Sequence, residues 1–102
     1  MAIRKSKEKN LQFDGSIKDA RDKCLNALLK GGFKKIEENI QLQYIKAKFN
    51  NFFVVGYLEI ELVKTDNTTS ISLKSTANTD NIFALFSSPN DKIMNSFIKN
   101  FI

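Results

Sequence analysis

The chain has no histidine and no tryptophan, one cysteine and one proline. Without histidine, general acid-base chemistry at neutral pH loses its usual carrier, and the mixed Cys/His sets that hold zinc cannot be assembled. The single Cys24 excludes an internal disulfide, so nothing in the sequence calls for an oxidising compartment. The four glycines include no phosphate-cradling motif. No run approaches the roughly 18 apolar residues of a membrane span, and the charged opening from Met1 to Asn10 leads into no apolar segment of signal-peptide length. These absences predict a cytoplasmic, non-enzymatic domain without cofactor, metal or membrane partner.

What is present points to one small folded unit. A length of 102 residues is close to that of a single domain, and 42% hydrophobic content with nine phenylalanines suffices for a core. The net charge of +5 is unevenly spread: Arg4, Lys5, Lys7 and Lys9 against Glu8 put +3 in the first ten residues. This segment has no apolar face to offset the entropy of ordering it, so residues 1–10 read as a flexible basic arm and residues 11–102 as a single α+β domain. The arm is either a solvated tail or a set of anion contacts.

The stretch from Phe52 to Ala77 reads as two long strands joined at Asp66-Asn67-Thr68. Val54, Gly56, Leu58, Ile60 and Leu62 share one face, and Phe53, Val55, Tyr57, Glu59 and Glu61 share the other. In the return strand Ile71, Leu73 and Ala77 alternate with Ser70, Ser72, Lys74 and Thr76, the pattern of a sheet buried on one side. Before this hairpin, Leu11 to Phe13 predicts a short first strand. Ser16, with Asp19 three positions on, caps a helix over about 16–31. Its apolar stripe is Ile17, Ala20, Cys24, Ala27 and Leu28, widened by Leu25 and Leu29, and Gly31-Gly32 ends it. A short strand with Phe33 and Ile36 follows. Next, Ile40, Leu42 and Tyr44 fall out of phase with Ile45, Ala47 and Phe49, which predicts a β-bulge at Tyr44-Ile45 or a bend there. After the hairpin, Ile82, Leu85 and Phe86 suggest one helical turn. Ser88, Pro89 and Asp91 then mark the start of a final helix whose stripe is Ile93, Met94, Phe97, Ile98 and Phe101.

Two one-sided helices and a one-sided sheet make two layers: a five-stranded antiparallel sheet with two helices on one face, in the order β-α-β-β-β-β-α. This order resembles the TATA-binding-protein-like fold and, more distantly, the helix-grip folds of lipid-binding proteins. A ferredoxin-like sandwich with an extra strand is the competing arrangement. The resemblance is one of topology and brings no activity with it.

Chemistry has few places to reside. Glu59 and Glu61, two apart on a strand and so about 7 Å apart, have the spacing of paired carboxylates, but a solvated face with Lys46, Lys48 and Lys74 opposite accounts for them equally. Ser72 and Lys74 are a weaker nucleophile and base pair. Cys24, in mid-stripe, reads as a small core hydrophobe. The leading reading is a binding module that associates with itself or a protein partner through the open sheet face, at Phe53, Val55 and Tyr57. The second is single-stranded nucleic acid stacked on that face, with Arg4, Lys5, Lys7 and Lys9 on phosphates, although Glu59 and Glu61 would repel them. The third is a small apolar ligand between the sheet and the last helix, lined by Phe83, Phe86 and Phe97 with residues 78–90 as a lid. The alternative for these phenylalanines is plain core packing.

Overall fold

The computed structural model describes residues 4–50, 55–78 and 89–101. In chain order these form β1 (Arg4–Phe13), α1 (Ile17–Lys30), β2 (Lys34–Asn39), β3 (Tyr44–Asn50), β4 (Val55–Thr65), β5 (Thr68–Asn78) and α2 (Pro89–Phe101). All strand pairs are antiparallel, and the sheet order is β1-β5-β4-β3-β2. Strands β2 to β5 therefore form a meander, and β1 closes the far edge beside β5. The fold is α+β, with both helices packed on the same face of the five-stranded sheet.

The alternation of β4 and β5 decides which face that is. Leu58, Ile60 and Leu62 from β4 and Ile71, Leu73 and Ala77 from β5 are all buried, as are Ile45, Ala47 and Phe49 from β3. The hairpin turns at Asp66-Asn67, where Asp66 takes a φ of 35°, a left-handed value that Asp tolerates better than most residues. Gly56 lies where β4 closely approaches both β5 and α2: a methyl there would press on the Thr76 carbonyl oxygen and come within 2.8 Å of Ile93 Cδ1. Glycine at this point lets α2 sit down on the sheet.

Helix α1 starts where Ser16 Oγ accepts a hydrogen bond from the Asp19 N–H at 3.1 Å. At its other end the Gly31 N–H donates to the Ala27 carbonyl at 2.9 Å. Gly32, at a φ of 82°, turns the chain so that the Phe33 N–H reaches the Leu28 carbonyl at 3.0 Å. Phe33 is thereby buried, with its ring 5.1 Å from that of Phe49. Ala20, Cys24, Ala27 and Leu28 face the core, but Leu29 is 66% exposed, because one further step of about 100° carries it past the edge of the stripe. From α2, Ile93, Met94, Phe97 and Phe101 are buried, and the Phe97 and Phe101 rings stack at 5.5 Å. Lys23 of α1 lies over the Phe101 ring at 4.6 Å. The buried hydroxyls are paired: Thr69 Oγ1 donates to the Gly15 carbonyl and Ser75 Oγ to Asn90 Oδ1, each at 3.0 Å.

Two expectations are corrected. The basic segment is not a free arm: from Arg4 onward it is the first part of β1, in unbroken register with β5 from Arg4 opposite Asn78 to Phe13 opposite Thr69. Backbone pairing offsets the ordering cost without an apolar face, and Lys7 reaches across to an ion pair with Asp91 on α2. The predicted bulge at Tyr44-Ile45 is also absent. Ile40 and Leu42 belong to a turn and are 63% and 70% exposed, so only the Ile45 set enters the core. The irregularity lies in β2 instead, where the register shifts between Lys34 and Glu37 and Lys35 has a φ of 50°. The predicted turn near residues 82–86 and the Ser88 cap lie outside the described residues. No helix among the described residues is long and apolar enough to cross a membrane.

Candidate functional site

The helices cover one face of the sheet, and among the described residues no element covers the other. On that outer face the two-residue period brings one row of side chains across all five strands: Glu8, Lys74, Glu59, Lys46 and Glu37, each the register partner of the next. Opposite charges directly across antiparallel strands attract, by roughly 0.2–1 kcal/mol per pair. This alternating row is compatible with the register that the buried inner face specifies, and it spreads charge of both signs over the middle of the face. Beside it, Tyr57 lies between Lys48 and Thr76, and Lys46 Nζ sits 4.7 Å above the Tyr57 ring centroid.

On the other side of the row the face holds an open groove of about 370 Å³. Glu8 and Asn10 of β1, Tyr44 of β3, Glu59 and Glu61 of β4, and Ser72 and Lys74 of β5 line it. Three carboxylates against one ammonium make the groove acidic in a chain whose net charge is +5. Partial burial, a hydrogen bond to Glu59 and the charges of Glu59, Glu37 and Glu61 push the Tyr44 phenol from its ordinary 10.0 up to about 12. The Tyr44 phenol therefore stays protonated at neutral pH and faces the groove as a hydroxyl beside Glu59 and Glu61. Among the described residues no group of three or more His, Cys, Asp or Glu side chains is placed to hold a metal ion.

The residues singled out in the sequence separate cleanly in space. Glu59 and Glu61, and with them Ser72 and Lys74, lie in one groove, so the two weak pairs are one constellation. Val55 and Tyr57 are on the outer face, 39% and 41% exposed. Phe53 lies outside the described residues, as do Phe83 and Phe86. Phe97 is fully buried in the core. The basic set is divided by the alternation of β1: Lys7 and Lys9 share the side of Leu11 and Phe13, toward the helices, and Lys7 engages Asp91 there. Cys24 is buried, and burial pushes its thiol from 9.0 up to about 12 against the smaller opposing influence of Lys23.

Sequence reasoning missed Glu8, Asn10 and Tyr44. Continuing the alternation of Leu11 and Phe13 backwards would have put Glu8 and Asn10 on the outer face. Tyr44 was grouped with Ile40 and Leu42, whereas its own strand begins with it and places it outward.

No family model matches the chain, and no curated protein matches it. Solved structures do. One is norcoclaurine synthase from Thalictrum flavum in complex with dopamine and hydroxybenzaldehyde, with a TM-score of 0.54 and 14% identity over 96% of this chain and 86% of that one. Another is a point mutant of the Thalictrum flavum enzyme with a transition state analogue, with a TM-score of 0.56 and 12% identity over 99% and 96% of the two chains. At such identity the likeness is one of fold, and the fold is of the helix-grip type. The TATA-binding-protein-like assignment gains no support from these matches.

Proposed function

We propose that the chain is a small non-enzymatic binding domain that takes a polar small molecule in the groove on the outer face of its sheet. The observation that carries this reading is the groove itself: about 370 Å³, within the range of small-molecule sites, and lined by polar side chains from four strands. The structural neighbour held with dopamine and hydroxybenzaldehyde supports it as an example of a helix-grip protein that holds small molecules. Of the three phenylalanines of the expected apolar site between sheet and α2, Phe97 alone lies among the described residues, and it is fully buried with its ring stacked on Phe101.

The test is thermal unfolding against a panel of small polar aromatics, amines and acids that includes dopamine and hydroxybenzaldehyde. A ligand at one hundred times its Kd stabilises by about 2.7 kcal/mol, roughly 10–20 °C for a domain of this size. The rise should grow with ligand concentration and shrink in Tyr44→Phe and Glu59→Gln. A melting temperature unmoved at millimolar concentrations across the panel sinks the proposal.

A second reading has its own observation. The exposure of Val55 and Tyr57 on the same face favours self-association or a protein partner there. Light scattering on a sizing column would show a salt-resistant dimer that Val55→Lys returns to monomer, and a monomer in both low and high salt removes this reading. Single-stranded nucleic acid fits the face less well, since Glu8, Glu59 and Glu61 oppose phosphates in the groove. Absorbance at 260 nm in the same run tests it.

A further inference from the structure

The two edges of the sheet are unlike. The β2 edge is six residues long, shifts register between Lys34 and Glu37, carries Lys35 in a left-handed conformation, and balances two lysines against two glutamates. Shortness and a bulge are how natural sheets blunt an edge against further strands. The β1 edge has neither device. It is ten residues long, its pairing with β5 is unbroken over its whole length, and Ser6 to Asn10 are exposed. In an antiparallel edge strand alternate backbone groups point away from the partner, so β1 presents a row of donors and acceptors that no other strand among the described residues pairs.

Charge decides what can add to that row. Arg4, Lys5, Lys7 and Lys9 against Glu8 give the strand a formal +3, with Lys7 already paired to Asp91 of α2. A second copy of β1 would bring another +3 alongside it, and like charges across strands are destabilising, so the edge is closed to its own kind. An acidic strand meets the opposite condition. We infer that the β1 edge is a docking site for an extended acidic peptide, which adds as a sixth strand beside Arg4–Phe13 through backbone hydrogen bonds and is drawn there by the net positive charge of the strand. The edge adjoins the outer groove, which Glu8 and Asn10 of β1 help to line, but the backbone row of β1 does not depend on a ligand there.

The experiment is amide hydrogen exchange followed by NMR, with titration of a ten-residue peptide alternating glutamate and threonine. In the free protein alternate amides of β1 exchange freely. At saturating peptide those amides should slow at least tenfold while β2 amides stay unchanged. Raising salt from 50 to 300 mM should weaken the affinity several-fold, because the attraction is between exposed charges. Ser6→Glu with Lys9→Glu, both at exposed positions, brings the strand to neutrality and should lower affinity at least tenfold with the fold intact by circular dichroism. The inference is overturned if β1 amides gain no protection at millimolar peptide, if protection appears at β2, or if the double variant binds as well as the parent. It is equally overturned if a single-stranded oligonucleotide protects the strand and the peptide does not.

Discussion

Phe97 is the residue at which core and ligand site make opposite demands. It is fully buried, and its ring stacks on Phe101 at 5.5 Å, which itself meets Phe13 edge-on at 6.3 Å. Replacing a phenylalanine enclosed in this way by alanine removes its transfer free energy and leaves a cavity, at a cost of about 3–5 kcal/mol. The total stability of a domain this size is about 5–15 kcal/mol, so the loss is a large share of it. Each kilocalorie moves the midpoint by roughly 4–8 °C, so Phe97→Ala should melt at least about 12 °C below the parent. Circular dichroism melts, with urea unfolding as a second measure, would read this, and the urea slope should stay the same because the denatured surface barely changes. A fall of less than about 3 °C would refute the packing argument. Phe97 would then line a space already loose enough to hold something else, and the site between sheet and α2 would regain its claim.

Gly56→Ala should lower the melting temperature by roughly 5–20 °C, since the methyl meets the Thr76 carbonyl and Ile93, and overpacking costs about 1–3 kcal/mol; an unchanged melt would mean that β4 and α2 separate easily. Alkaline pH should destabilise the fold. The Cys24 thiol is raised from 9.0 and the Tyr44 phenol from 10.0, each to about 12, so folding favours their protonated forms, and this stability is intact below about pH 9 and lost as pH rises from 9 through 12. Cys24→Ala should flatten urea stability between pH 9 and 10, and an equally steep decline in that variant would assign the effect elsewhere. Thr69→Val should cost about 1–3 kcal/mol by leaving the Gly15 carbonyl without its donor, read as a lower urea midpoint; no shift would mean that water replaces the hydroxyl. Lys74→Glu, between Glu8 and Glu59, should destabilise at low salt and less so at 0.5 M, and insensitivity to salt would remove the charged row from the account.

The elements that declare themselves through buried alternation or capping were readable from the chain alone. The β4–β5 hairpin, its Asp66-Asn67 turn and its inner face followed from period two, and the Ser16 start and Gly31-Gly32 end of α1 followed from backbone chemistry. What escaped was whatever depends on a distant partner. Beyond the short Leu11–Phe13 alternation no local pattern in β1 says strand, because its lysines gain order from β5 and from Asp91. Leu42 and Ile40 carried hydrophobicity but sit in a turn, where sequence cannot show that nothing packs on them. The groove was half legible: Glu59, Glu61, Ser72 and Lys74 were visible as pairs on adjacent strands, but their union with Glu8, Asn10 and Tyr44 required the sheet order.

That sheet order also shapes how the chain reaches its fold. Strands β2 to β5 are joined in sequence by connections of only a few residues, so they can zip as successive hairpins in about microseconds each. Strand β1 is made first and must wait, for Gln12 and its register partner Ser70 are 58 positions apart. At roughly 5–20 residues per second on a ribosome, that separation leaves the first strand unpaired for several seconds of synthesis. The lysines that make β1 so unlike a strand are well suited to the interval, since a charged segment stays soluble and shuns other nascent copies until β5 emerges to receive it.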